Sequence, residues 1–294
     1  DHEGHVISAR WSPDESQILT ASTDETAKIW RSDNGQQILE LTGHTNRIEH
    51  ALWNKEGTIV LTASADKTAR VWDANSGQVL ALLEGHTSEV TQASWNADET
   101  RILTVSEDKT ARIWDTQTGN KLISLSGHTD RILQAKWSHD GSRVLTASED
   151  NTARIWDARS GEELSTLVAH KANVLHSSWN QDETQVLTTS SDRTARIWLQ
   201  NELQEFTMLP IDGGKIFQAI WSKDGSQVLT TDDKNTVNIL DSISGEVLFS
   251  FIGHEGRVIE AIWSVDESKI LTYSFDNTAR IWDVNAEQQV ATLI

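Results

Sequence analysis

Residues 127–168 read GHTDRILQAKWSHDGSRVLTASEDNTARIWDARSGEELSTLV, and the way this stretch recurs decides the fold. Within it, short β-branched and aromatic runs (RILQAKW, RVLTAS, ARIWD, EELSTLV) alternate with turns rich in Gly, Asp, Asn and Ser. Apolar runs of this length between such turns are strand signals, and none is long enough for a stable helix. Working outward in both directions, the pattern returns every 42 residues. Trp137 belongs to the series Trp11, Trp53, Trp95, Trp137, Trp179, Trp221 and Trp263. A second series runs Trp30, Trp72, Trp114, Trp156, Trp198 and Trp282, broken by Leu240. Together they use all 13 tryptophans, and seven periods of 42 fill the 294 residues without an insertion. The first tryptophan, Leu19, Thr20 and Thr26 mark the columns that never vary between repeats.

One four-stranded unit cannot bury both of its faces, whereas seven set radially can, each packing on the next. A linear solenoid needs atypical caps, which the first and last repeats lack. The expected fold is therefore all-β, a single seven-bladed β-propeller with four antiparallel strands per blade. The blades fall at 1–42, 43–84, 85–126, 127–168, 169–210, 211–252 and 253–294. Each frame begins before its first strand and ends on its fourth. The last blade should thus finish with its own strand, QVATLI, and exchange none with the N-terminus.

The segment GHTDRILQAKW…LTASEDNTARIWD resembles the WD40 repeat, with its Gly-His start and Trp-Asp finish, and the resemblance extends over the whole chain. It implies a propeller that holds other proteins on its surface without performing chemistry. Repeats this alike are similar to the amplified WD40 arrays of bacteria, which suggests a scaffold or sensor domain of a larger signalling protein. The alternatives are a designed or purely structural propeller without a dedicated partner, or an enzymatic one with chemistry in its channel. Two repeats depart from the pattern. The fifth has Leu199 in place of the aspartate; the sixth has Asp212 for histidine, Lys234 for aspartate and Leu240 for tryptophan. The sixth blade is accordingly expected to be held by packing more than by polar bonds.

Forty-four acidic against 25 basic side chains give a formal charge of −19. That argues against a general affinity for nucleic acid or for anionic lipid. Cysteine is absent, which removes disulfides and thiolate metal sites and fits the expected cytoplasmic location. No stretch approaches the roughly 18 apolar residues of a membrane span. The chain starts at Asp1 and its one methionine is Met208, so the expectation is a piece of a longer polypeptide, monomeric when isolated.

Each regular repeat carries His, Thr, Asp and Trp at fixed spacing. The sets are His2, Thr20, Asp24, Trp30; His44, Thr62, Asp66, Trp72; and His86, Thr104, Asp108, Trp114. The remaining three are His128, Thr146, Asp150, Trp156; His170, Thr188, Asp192, Trp198; and His254, Thr272, Asp276, Trp282. Hydroxyl, imidazole and carboxylate are the ingredients of nucleophilic catalysis, but six equivalent copies do not describe a catalytic site. The resemblance implies a structural tetrad in which Asp holds His, His meets the hydroxyl and the hydroxyl meets the indole N–H. No catalytic residue, metal site or cofactor is expected, and no glycine-rich phosphate loop is present. His50, Gln92, Gln134, His176 and Gln218 share a column with Glu260, its only carboxylate, and are expected to line a polar, watery channel.

Recognition should fall on columns that vary while staying exposed. Family geometry, which the resemblance supplies, points to the fifth, seventh and twenty-third positions of each repeat. The fifth supplies the cations Arg47, Arg131, Lys215 and Arg257. The seventh supplies Ile7, Leu133, Leu175, Phe217 and Ile259, and the twenty-third supplies Phe275 in a turn. An apolar arc rimmed by Arg has the composition of a protein-binding surface. These ten residues form the candidate partner site.

Overall fold

The computed structural model describes residues 1–199, 205–210 and 215–293. It holds seven antiparallel sheets, each of four strands that are consecutive in the chain. The first consists of Val6–Trp11, Gln17–Ser22, Ala27–Arg31 and Gln37–Leu41. The seventh consists of Val258–Trp263, Lys269–Ser274, Ala279–Asp283 and Gln288–Leu293. No strand is exchanged between the first and last sheets, and the fourth strand of the seventh is its own. The molecule is a seven-bladed β-propeller built from near-identical blades. It divides into two compact units, Asp1–Val144 with Ile155–Leu164, and Leu145–Arg154 with Ser165–Ile294.

Within each unit the core is a set of blade junctions. In unit 1, Leu19, Ala21, Ala27, Ile29 and Leu41 of the first blade meet Ile48, Ala51, Trp53, Val60 and Trp72 of the second. Leu61, Val71 and Leu83 then meet Val90, Ala93 and Trp114. In unit 2, Leu229, Ile239 and Phe251 meet Val258, Ala261, Ile270 and Trp282. Each strand thus supplies two apolar sets, one for each neighbouring blade, which is why the apolar runs are nearly continuous. The repeating tryptophan closes the packing: Trp72 and Trp114 are fully buried. In unit 1 Val6 and Trp11 of the first blade are exposed (51% and 60%) where Ile48 and Trp53 of the second are buried. In unit 2 the Leu271 and Tyr273 face is exposed where Leu229 and Thr231 are buried.

The polar column headed by His50 has a different role from the one its composition suggests. The His50 Nδ1 is 3.1 Å from the Ala93 carbonyl oxygen of the next blade. Gln92 donates to the Ala135 carbonyl and accepts from the Ala135 N–H, both at 3.1 Å. Gln218 accepts from the Ala261 N–H at 2.8 Å. These side chains clamp one first strand to the backbone of the next, satisfying groups that have no ladder partner on that side. At these three positions the column makes inter-blade hydrogen bonds, a role beyond the expected lining of a watery channel.

A register shift recurs between the first and second strands. It falls at Val6/Ser8, Ile48/His50, Val174/His176, Ile216/Gln218 and Val258/Glu260. The residue skipped in each case is the seventh of its repeat: Ile7, Glu49, Leu175, Phe217 and Ile259. A bulge leaves its extra residue unpaired and re-aims its side chain. In the second to seventh blades the sixth residue is buried while the bulge turns the seventh toward the rim, which is how the fold positions the candidate site.

Candidate functional site

The tetrads form as bonded sets. In the second blade His44 Nδ1 is 2.7 Å from Asp66 Oδ2, His44 Nε2 is 2.7 Å from Thr62 Oγ1, and the Trp72 indole N–H donates to Thr62 Oγ1 at 2.8 Å. The first, third, fifth and seventh blades repeat this through His2, His86, His170 and His254, all three distances lying between 2.7 and 2.9 Å. In the fourth, His128 is buried and its ring lies 6.1 Å from that of Trp156, with Thr146 buried as well. The bonding assigns the protons: a neutral imidazole donates from Nδ1 to Asp and accepts at Nε2 from the Thr hydroxyl, whose oxygen accepts the indole N–H. Burial pushes the His86 pKa down, overriding the pull of Asp108, so the ring stays neutral. Burial alone would raise the Asp66 carboxyl, but bonds from His44 and Thr68 outweigh it and hold the group well below the usual range. A hydroxyl consumed by two bonds inside a buried set is not a nucleophile open to substrate.

Thr26 and its equivalents are a fifth member that the tetrad pattern omits. Thr26 gives Asp24 both its N–H, at 3.0 Å, and its hydroxyl, at 2.6 Å. Thr68, Thr110, Thr194 and Thr278 repeat the hydroxyl bond at 2.6 to 2.7 Å. The signal was the invariance of the column.

The sixth blade, expected to be held by packing more than by polar bonds, replaces the tetrad with another polar network. Its carboxylate moves two residues earlier, to the buried Asp232, which accepts N–H bonds from Lys234 at 3.0 Å and Thr236 at 2.9 Å. Asn238, also buried, lies 3.4 Å from Asp232 and accepts from Ser250 at 2.7 Å. Leu240 is buried where the tryptophan would be. Asp212 lies outside the described residues.

The rim residues fall into two groups. In unit 1, Arg47 pairs with Glu49 and, at 2.7 Å, with Glu89, and Arg131 pairs with Glu107 at 2.6 Å. Ile7 and Leu133 are exposed there. In unit 2, the Arg257 guanidinium lies 3.6 Å from the centroid of the Phe217 ring and 6.0 Å from that of Phe275. The Phe275 N–H donates to the Arg257 carbonyl at 2.9 Å, fixing the turn beside the bulged strand. Phe275 is 67% exposed, Ile259 and Lys215 are exposed, and Phe217 and Leu175 are half-buried. The structure therefore brings Phe217, Arg257 and Phe275 together in unit 2 and leaves Ile7, Arg47, Arg131 and Leu133 on unit 1.

Other surfaces are already engaged by local bonds. A cavity of about 350 Å³ in unit 1 is lined by Asp98, Asp140 and Asp157 with Arg101 and Arg159. The Asp98 carboxyl is bonded to Thr100 and that of Asp140 to Ser138 and Ser142, and these bonds hold both below the usual range, Asp140 at about 2. Glu260 accepts from the Tyr273 hydroxyl at 2.7 Å. Among the described residues no group of three or more His, Asp or Glu could hold a metal ion, and no helix is long and apolar enough to cross a membrane.

The profile of the family described as WD domain, G-beta repeat, matches residues 1–31, 35–73, 77–115, 119–157, 161–198 and 245–283. The chain belongs to the WD40-repeat family. The gap in that match coincides with the altered end of the fifth repeat and with the sixth, whose polar network differs. No curated protein matches the chain. Among solved structures it is similar to the computationally designed Ika8 protein, with 25% identity and a TM-score of 0.83 over 96% of this chain and 85% of that one. WD40 repeats are scaffolds for protein interaction, and the family is generally non-enzymatic.

Proposed function

We propose that the chain is a non-catalytic protein-binding module whose partner seats on the cluster of Phe217, Arg257 and Phe275, with Ile259 and Leu175 beside it. The observation that supports this reading is the Arg257 guanidinium lying over the Phe217 ring and within 6.0 Å of the exposed Phe275 ring. Aromatic and Arg side chains held in place before binding are the usual hot spots of interfaces, because little entropy remains to be lost. In the same reading the module is cytoplasmic, monomeric when isolated, and part of a larger signalling protein. Phe275→Ala should weaken a captured partner by about 1–2 kcal/mol or more while the fold is kept. Titration calorimetry against a control variant, Val168→Ala on an exposed strand, measures it. Equal affinities for the two variants would remove the cluster as the binding site. A second reading, a designed or structural propeller without a dedicated partner, draws on the similarity to Ika8 and predicts that no partner is captured at all.

A further inference from the structure

The fifth-column cations differ in what surrounds them, and the difference defines a ligand chemistry. Arg47 and Arg131 are neutralised by Glu49, Glu89 and Glu107. No ion pair is recorded for Lys215 or Arg257 among the described residues, and both are exposed. The cause is substitution around them. Beside Arg131, the preceding blade supplies Thr91 at its seventh position and the same blade supplies Glu149 at its twenty-third. Beside Arg257, those two positions are Phe217 and Phe275. Asp233 takes the place of Glu107 but is one methylene shorter, is exposed, and has no recorded ion pair with Arg257. Two carboxylate-bearing or polar positions have thus become aromatic, and among the described residues no acid pairs with the guanidinium that lies over the Phe217 ring.

The Arg257 guanidinium carbon lies 3.6 Å from the Phe217 ring centroid, a cation–π contact that ties the cation to the ring. The N–H edge of the guanidinium is left for an acceptor, and a planar fork with five donors matches a carboxylate bidentately. Lys215, on the neighbouring blade, offers a second positive point. Phe275, 6.0 Å from the Arg257 guanidinium, and Ile259, two residues along the same strand region, give exposed apolar surface. The geometry points to a partner segment that is an acidic peptide, with an Asp or Glu side chain or C-terminal carboxylate immediately beside a large apolar residue. The carboxylate takes the Arg257 edge, the apolar neighbour packs on Phe275, and a second acid reaches Lys215. A polyphosphate is disfavoured, because the chain carries −19 overall and Asp233, Glu255 and Glu260 lie close in sequence to the site residues. A short peptide concentrates one or two charges where the two free cations are. This inference rests on the proposed binding role of the same cluster.

A phage-displayed library of random linear peptides selected on the 294-residue chain tests it. The expected binders carry Asp or Glu next to Leu, Ile, Phe or Trp. Changing that acid to its amide should weaken binding by about tenfold, and raised salt should weaken the acidic form more than the amide. Arg257→Gln should abolish the difference between acid and amide, Arg257→Lys should restore part of it, and Phe275→Ala should weaken both forms. Binders with no acid preference that still lose affinity with Phe275→Ala would end the acidic assignment and leave the binding surface standing. Binders indifferent to both Arg257→Gln and Phe275→Ala, or no binders at all, would end both readings. Capture of oligothymidylate through Arg257 would reassign the site to phosphate.

Discussion

Thr62→Val is expected to destabilise the chain by about 2–4 kcal/mol, because it removes the centre of a buried polar set while keeping the shape of the side chain. The Thr62 oxygen accepts the Trp72 indole N–H at 2.8 Å and its hydroxyl serves His44 Nε2 at 2.7 Å. Valine leaves both groups buried and unpaired, and each orphaned group costs about 1–3 kcal/mol. The sixth blade supplies the internal control. Thr230 is equally buried, but among the described residues its hydroxyl meets only the Asn238 carbonyl, at 3.5 Å, with Leu240 in place of the indole. Thr230→Val should therefore stay within about 1 kcal/mol of the parent, since the one bond lost is long. Urea midpoints with an unchanged slope measure the comparison. If Thr230→Val proves the more damaging of the two, the tetrad is not what holds these blades.

The tetrad residues were legible in the sequence as six copies at one spacing, and the resemblance to the WD40 repeat implied how they bond. Its fifth partner was legible only as an unexplained constant: Thr26 and its equivalents never vary, and the bond to Asp24 gives the reason. The eighth column's bonds to the next blade were not legible in the sequence. Gln92 and Gln218 are polar, and composition alone does not distinguish a side chain facing water from one bonded to the next blade's backbone. The alternation of Glu15, Gly57, Glu99, Gly141, Glu183, Gly225 and Glu267 also went unnoticed. The Lys55 N–H donates to Glu99 at 2.6 Å and the Lys223 N–H donates to Glu267, so two of these glutamates clamp the turn of the preceding blade. Phe275 stood out in the sequence as an aromatic in a turn. Its meeting with Arg257 and Phe217 did not, because it depends on the bulge that turns the seventh residue toward the rim, and a bulge is set by pairing between strands.

Acidification should remove stability in two stages. The carboxyls of Asp24, Asp66, Asp108 and Asp276 are held well below their ordinary range, where hydrogen bonds from Thr and His outweigh the upward push of burial; Asp192 lies at about 2 for the same reason. Asp14, Asp140 and Asp266 are drawn to about 2 mainly by bonds from turn serines. A depressed folded pKa means the unfolded chain binds its proton first, at about 4. The stabilising contribution is therefore whole above that pH and is lost as pH falls from about 4 through the folded values near 2. His86 and His50 are pushed down by burial, so the unfolded imidazoles charge below about 6.5 while the folded ones remain neutral, and a smaller loss begins there. An opposing effect is relief of repulsion, since a chain at −19 sheds negative charge as its acids are protonated. That repulsion acts between exposed groups and is screened beyond about 8 Å at physiological salt, whereas the aspartate bonds are short and partly buried, so their loss dominates. Thermal midpoints in that salt should be level above neutrality, slightly lower near pH 5 and much lower near pH 3. A midpoint that holds or rises between pH 5 and pH 3 would show that charge relief, and not the aspartate network, governs the stability of the blades.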